Sequence, residues 1–279
     1  MKKVSSLLIR VFKKMINYIQ GQKFANLADI CFDGVSLNRN FDKKGVIVLY
    51  SAMKHYTLAV EYIKRNPQTK FILITHNGDE SLERIEIPKN LVKWFSVNVN
   101  FQDPKIESIP IGLENDCWFP SIKKIEKIDR ARKVNKIKDK LIYLSFNLAT
   151  NIGERGKLFS IFHKKKWVTA EKTVNGKGFD NYLINLTRHK FCFCPQGNGI
   201  DTHRFWECLY LGGIPVVKKE INSNFYAQLP VLFVDNWEII TEEYLNSKYA
   251  EIILKKPELD MLDMDYWIAK INKIKKMNQ

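Results

Sequence analysis

Asn198, Asp201, Thr202, His203, Arg204 and Glu207 lie in one short stretch between two apolar runs, one ending at Cys194 and the other starting at Ile214. Arg204 and Glu207 are three residues apart, so on a helix they share one face. A guanidinium can grip phosphate, and a carboxylate can accept hydrogen bonds from two sugar hydroxyls. Gly197 and Gly199, just upstream, let the backbone turn tightly and approach a ligand. Asp201 or Thr202 is placed to cap the helix, whose N-terminus carries N–H groups and partial positive charge suited to phosphate. Such a pair can also be a solvated ion pair, and a glycine loop alone is a weak signal. The density of polar residues between apolar segments favours a ligand, and a nucleotide at the carboxyl end of a parallel sheet is the natural use of the assembly.

The elements that must hold this stretch are legible around it. Lys190–Cys194 is short, aromatic and bounded by Pro195, the pattern of a buried strand. Gly212 and Gly213 end the helix and Ile214–Val217 starts the next strand. Upstream, strands are predicted at Gly45–Tyr50, Lys70–Thr75, Ile106–Ile111, Leu141–Phe146 and Trp167–Thr169, and another at Val231–Val234. Helices are predicted at Thr57–Lys64, Lys157–His163, Phe179–Arg188 and from Trp237, with a basic helix over 258–277. Asn90–Asn98 fits either a short helix or a strand. The alternation reads as α/β, with helices on the faces of parallel sheets.

The composition is that of a globular protein with a substantial core: 45% of the 279 residues are apolar. The formal charge of +15 is concentrated in residues 1–23, in 123–140 and in the tail. Such charge fits nucleic acid, an anionic membrane or phosphorylated substrates. Cys31, Cys117, Cys192, Cys194 and Cys208 are an odd set with two on one strand, which argues against a disulfide framework and for a reducing compartment. Cys192, Cys194 and Cys208 read as small buried hydrophobes rather than a metal cluster. No run is long and apolar enough for a transmembrane helix. Val4, Leu7, Leu8, Val11, Phe12, Met15, Ile16 and Ile19 follow helical spacing with lysines elsewhere on the wheel, so residues 1–23 read as a basic amphipathic helix. It suits either an anionic membrane surface, contacted through residues 1–20, or docking on protein.

Residues 24–122 are expected to form one α/β domain and 141–257 a second, with the lysine-rich 123–140 as a basic linker and 258–279 as a terminal helix. This is a two-domain, Rossmann-like architecture.

The block Cys194–Glu207 with its Leu-Tyr-Leu-Gly-Gly-Ile-Pro-Val continuation resembles the donor-binding domain of exostosin-type glycosyltransferases, nearest their bacterial, viral and ribitol-xylosyltransferase-like relatives. Thr75–Asp79, Trp94–Asn98, Pro104-Lys105, Ile109–Leu113 and Ser145–Asn147 with Thr150, Asn151, Glu154 and Arg155 recur in the same order in such proteins. The resemblance runs from about residue 45 to about 240, and its specific part is 194–216. It implies a GT-B fold, in which two Rossmann-like domains face each other across a nucleotide-sugar cleft and a C-terminal helix crosses back. It implies a nucleotide-sugar donor, with a UDP-sugar favoured, held by the C-terminal half. It also implies hexosyl or pentosyl transfer to a glycan or lipid-linked acceptor in surface polysaccharide synthesis. No cofactor or bound metal is expected; Asp263 and Asp265 have the Asp-x-Asp spacing but fall in or beside the terminal helix.

The resemblance assigns roles residue by residue. Arg204, Arg155 and the backbone N–H groups from Gly199 to His203 would hold the leaving diphosphate, with Gly197 and Asn198 in the same loop and Asn147 in the loop after a strand. Glu207 would accept from the ribose hydroxyls. Asp201, Thr202 and His203 would meet the transferred sugar or cap the helix. Thr169 and Glu171 follow a strand where such proteins hold the base. An inverting enzyme needs a general base, and Asp79, with His76 beside it, is the expected one. The location implied is cytoplasmic, peripheral on the inner face of the membrane. The alternatives are a nucleic-acid-binding protein, for which no helix-turn-helix, RNA-recognition or zinc-finger pattern is present, a non-catalytic GT-B scaffold, and another α/β transferase such as a fucosyltransferase-like enzyme, against which the Asp201–Arg204 segment favours the exostosin-type relatives. No nucleic-acid partner is expected.

Overall fold

A computed structural model describes residues 16–32, 37–38, 45–118, 120–134, 137–171, 178–220, 223–255 and 257–279. The chain divides into two compact units, and each is α/β.

The N-terminal unit comprises Asn17–Asn115, Gly199–Asp201 and Asp263–Gln279. Its six-stranded sheet has the order β2-β1-β3-β4-β5-β6. The strands are β1 (Ile30–Phe32), β2 (Leu37–Asn38), β3 (Ile47–Ala52), β4 (Phe71–His76), β5 (Leu91–Ser96) and β6 (Ile106–Ser108). All neighbours are parallel except β1 and β2. Every residue of β4 is buried, which is why its sequence runs apolar without alternation. The predicted strands starting at Gly45, Lys70 and Ile106 appear as β3, β4 and β6, and the ambiguous 90–98 segment is strand β5. Helix Tyr56–Arg65 buries Tyr56, Ala59, Val60 and Ile63, the stripe expected of an amphipathic helix.

The start of the chain departs from the sequence reading. Residues 1–15 lie outside the described residues, and Asn17–Gln20 are not helical. Tyr18 and Ile19 are buried, Leu113 N donates to Ile19 O at 2.8 Å, and Gln20 bridges Leu113 in parallel. These side chains go into the unit's own core rather than forming a helix face. Gly112 makes this possible: its φ is +66°, and a Cβ there would lie 2.3 Å from Ile19 O.

The terminal helix, Met264–Met277, belongs to this N-terminal unit. Met264 N donates to Asn17 O at 2.8 Å, and Lys275 pairs with Asp29 at 2.6 Å. Asp263 is its N-cap, accepting from Asp265 N at 3.0 Å. The Asp-x-Asp spacing is thus a helix cap.

The C-terminal unit includes Asp116–Asn198 and Thr202–Leu262. Its strands are β7 (Lys140–Leu144), β8 (Val168–Ala170), β9 (His189–Phe193), β10 (Ile214–Lys218) and β11 (Leu232–Val234), all parallel, in the order β11-β10-β9-β7-β8. Counted from β7 this is the doubly wound order 2-1-3-4-5, whose topological switch point lies between β7 and β9. Phe146, Leu158, Phe162, Phe191, Phe193, Val216 and Trp237 are among the residues of its core.

The unit boundary falls at Asn115/Asp116, ahead of the predicted linker. Lys124–Val134 is a helix of the C-terminal unit and buries Ile128, Ala131 and Arg132. The stretch looked like a linker because its lysines dominate the composition, but two apolar residues three apart suffice to dock it. Farther on, Lys138 Nζ donates to Leu186 O at 3.1 Å and Leu211 O at 2.9 Å. It places a cation at the C-terminal ends of helices Phe179–Arg188 and His203–Tyr210. Burial pushes its pKa down to about 8.

Candidate functional site

Two adjacent parallel strands, β7 and β9, deliver the site residues at their carboxyl ends. After β7 come Ser145, Phe146 and Asn147, a single 3-10 turn, and helix Ile152–Phe162, which carries Arg155. Asn147 Oδ1 accepts from Ala149 N at 3.0 Å and Asn151 Oδ1 from Glu154 N at 3.2 Å, so both asparagines cap the turns that follow them. After β9 the chain passes through Pro195, Gln196 and Gly197 before helix His203–Tyr210.

Arg155 is buried and joins these two loops. Its Nε donates to Gln196 O at 2.8 Å, its Nη1 to Asn147 O at 2.8 Å and to Thr150 Oγ1, and its Nη2 to Pro195 O at 3.4 Å. These bonds engage four of the five guanidinium N–H groups. Burial, and then the neighbouring Arg204 charge, push its pKa down to about 10. Gly197 is fitted to it: a Cβ there would lie 2.7 Å from Arg155 Nη2.

Arg204 is held differently. Its guanidinium carbon lies 5.8 Å from the Phe146 ring centre and 5.3 Å from that of Tyr182. Its Nη1 donates to Tyr182 OH at 3.4 Å. Its Nε is buried with no hydrogen-bond partner in the protein. Burial opposes its charge, but Tyr182, the Cys192 and Cys194 thiols and the Glu207 carboxylate outweigh burial, and the pKa is raised. Arg155 lies 5.5 Å from the same Phe146 ring centre. Two guanidiniums therefore flank one aromatic ring at the switch point.

One turn along the helix, Glu207 is buried. Its Oε1 accepts from Lys124 Nζ at 3.0 Å and its Oε2 from Tyr182 OH at 2.6 Å. Burial would raise its pKa; Lys124, the Tyr182 hydrogen bond and Arg204 together lower it below the ordinary carboxyl value. Tyr182 OH thus donates to Glu207 while accepting from Arg204, which links the two motif residues through a third side chain. Lys124 Nζ also lies 5.0 Å from the Phe179 ring centre, and Phe179 stacks on Tyr182.

The remaining predicted residues are placed as follows. Thr202 is the N-cap of the motif helix but makes no side-chain cap hydrogen bond. Asp201, just ahead of it, accepts from Ile111 N through Oδ2 at 2.8 Å, and its own N donates to Asn98 Oδ1 at 2.9 Å. A buried N–H at Ile111 requires an acceptor, and Asp201 supplies it. Gly199 is packed against the same Asn98, with a Cβ position 2.9 Å from Asn98 Nδ2. Asn198 is exposed, and His203 is half-buried in the first turn. Thr169 is half-buried within β8, opposite Tyr143. Glu171, just beyond it, accepts from Tyr143 OH at 2.6 Å and Asn185 Nδ2 at 2.8 Å.

In the N-terminal unit, His76 ends β4 and is buried. Asn77 N donates to its Nδ1 at 2.7 Å, so Nε2 carries the proton and donates to Pro110 O at 2.9 Å. The ring fixes the loop in which Asn77 adopts φ 55°, a left-handed conformation that asparagine tolerates. Asp79, in the loop that follows, is exposed. Among the described residues no group of three His, Cys, Asp or Glu side chains is arranged to hold a metal, and Cys192, Cys194 and Cys208 are buried free thiols.

Sequence reasoning missed Lys124, Tyr182, Phe179 and Phe146. Lys124 lay in the predicted linker, Phe179 and Tyr182 sat inside a predicted helix with no local signal to separate them from core, and Phe146, although within the Ser145–Asn147 block, was given no role.

No protein-family model matches the chain, and no curated protein does. Among solved structures, the chain is similar to a glycosyltransferase from Rickettsia africae ESF-5, with a TM-score of 0.41 and 10% sequence identity, covering 82% of this chain and 76% of that one.

Proposed function

We propose that the C-terminal unit binds a nucleoside diphosphate sugar and that the chain is a glycosyltransferase of GT-B type, related to the exostosin-type enzymes. The observation that carries this reading is the pairing of Arg155 and Arg204 on Phe146 at the switch point, with Arg204 Nε buried and lacking a protein acceptor. A buried guanidinium donor calls for an acceptor, and phosphate oxygens match its fork. Arg155, largely engaged by backbone carbonyls, sets the loop geometry; Arg204 is the principal grip on the leaving diphosphate. Positive charge fixed in advance stabilises the negative charge that develops as the glycosidic bond to the diphosphate breaks. This supports transfer without a metal. Glu207, one turn on, is the partner of the ribose hydroxyls.

The donor proposed is a UDP-sugar, and the acceptor a glycan or lipid-linked glycan of a surface polysaccharide. With inversion, Asp79 removes the acceptor hydroxyl proton; its exposed position in the loop after β4 supports that role, and His76 holds the loop. Attachment to an anionic membrane through residues 1–20 belongs to the same proposal, and vesicle co-sedimentation of a chain lacking residues 1–15, ahead of the buried Tyr18 and Ile19, tests it. The reaction itself is tested by incubating the protein with UDP-, GDP- and CDP-sugars and measuring release of nucleoside diphosphate. Release with one donor that disappears in Arg204→Met supports the reading; no release with any donor, at any acceptor tried, rejects it.

A further inference from the structure

Lys124 reaches the motif through its side chain. Its Nζ lies 3.0 Å from Glu207 Oε1, and the two side chains are only 12% and 5% exposed. Glu207 also accepts from Tyr182 OH through Oε2, so each carboxylate oxygen has one donor shown here and a second lone pair with which to accept. Arg204 and Glu207 share one helix face, so a nucleotide whose phosphates sit at Arg204 brings its ribose toward Glu207. A ribose hydroxyl is both donor and acceptor. Beside an ammonium and a carboxylate 3.0 Å apart, it can accept from the first while donating to the second.

We propose that Lys124 is a specificity-determining residue of the nucleotide site: with Glu207 it reads the ribose 2′,3′-diol and selects ribonucleotides over 2′-deoxyribonucleotides. This rests on the donor-site reading above. A deoxyribose removes a hydroxyl and leaves part of a buried charge pair without its ligand partner, the situation in which polar sites discriminate strongly. Lys124 acts on the sugar and not on the phosphates, which belong to Arg204. Lys124→Met removes the ammonium while keeping the aliphatic stem, and Lys124→Arg keeps a cation.

The test is calorimetric binding of UDP, GDP and CDP, their 2′-deoxy analogues and inorganic pyrophosphate to the full chain and both variants. The wild type is expected to bind the preferred ribonucleotide roughly tenfold or more tightly than its deoxy analogue. Lys124→Met is expected to reduce that preference several-fold, leaving what Glu207 alone supplies, with pyrophosphate affinity within about threefold of wild type. Lys124→Arg is expected to restore part of the preference. Tight nucleotide binding by the wild type with equal affinity for the two sugars overturns this inference and leaves the donor site standing. A preference undiminished in Lys124→Met also overturns it. Failure of every nucleoside diphosphate to bind the wild type overturns both readings.

Discussion

Arg155 and Arg204 lie 5.5 and 5.8 Å from the centre of one ring, Phe146, although both are cations. Their mutual repulsion is visible in the lowered pKa of Arg155, for which the Arg204 charge is the second cause after burial. The arrangement persists because each guanidinium has compensation of a different kind. Arg155 donates to three backbone carbonyls and one hydroxyl, while Arg204 lies among Tyr182, two thiols and Glu207. An anion accepted by Arg204 would offset this repulsion and satisfy its buried Nε.

Arg155 should therefore matter more for stability than for specificity. Hydrogen bonds to a charged group contribute about 1.5–3 kcal/mol, and Arg155→Met also takes a donor from the buried Pro195 carbonyl. We expect a loss of about 2–4 kcal/mol in urea unfolding. A loss within experimental error of zero would show that the two loops do not depend on it.

Gly197→Ala tests the same contact with a smaller change. The added Cβ would meet Arg155 Nη2 at 2.7 Å, and that nitrogen belongs to a guanidinium anchored by several bonds. The expected outcome is a folded protein whose pyrophosphate affinity falls several-fold, because the displaced Arg155 moves the loop. Unchanged affinity would mean that the guanidinium gives way without consequence.

Glu207→Gln should remove a pH dependence with a defined sign. The folded carboxyl pKa is lowered relative to the ordinary 4.5, so the ionised group stabilises the fold at neutral pH. That contribution is present above the unfolded value and is lost as pH falls through the folded one. The variant should be less stable at pH 7 and show a shallower loss of stability below about pH 4.5. Parallel acid limbs for the two proteins would rule out this coupling.

Lys138 gives the opposite limb. Its folded pKa is about 8, against 10.5 ordinarily. Between these values the unfolded chain holds the proton that the folded chain has released, so this residue makes stability rise with pH across the window. Measured against Lys138→Met, the wild type should gain stability from pH 8 to about 10.5; a difference independent of pH would remove the assignment.

The parts of this site written in local spacing were readable from the sequence. Arg204 and Glu207 share a face because they are three apart, and the strand–loop–helix–strand run from Lys190 to Val217 appears with small shifts of boundary. Contacts between distant residues were not readable: Lys124 reaches Glu207 across 83 positions and Tyr182 reaches it across 25. The capping role given to Asp201 or Thr202 followed from local preference, whereas the hydrogen bond that Asp201 accepts from Ile111 N, 90 residues away, had no local signal. Likewise β1 and β2 are too short to show a period of two. Asn17–Gln20 kept a helical pattern of apolar residues while joining the core in extended form.

Thermal unfolding with and without UDP, GDP and CDP shows whether Arg204 holds a nucleoside diphosphate. A ligand at one hundred times its Kd adds about 2.7 kcal/mol to the stability of a protein that binds it only when folded. The expected result is a rise in Tm of several degrees for one of the three nucleotides, absent in Arg204→Met. No shift with any of them, or the same shift in the variant, would contradict it.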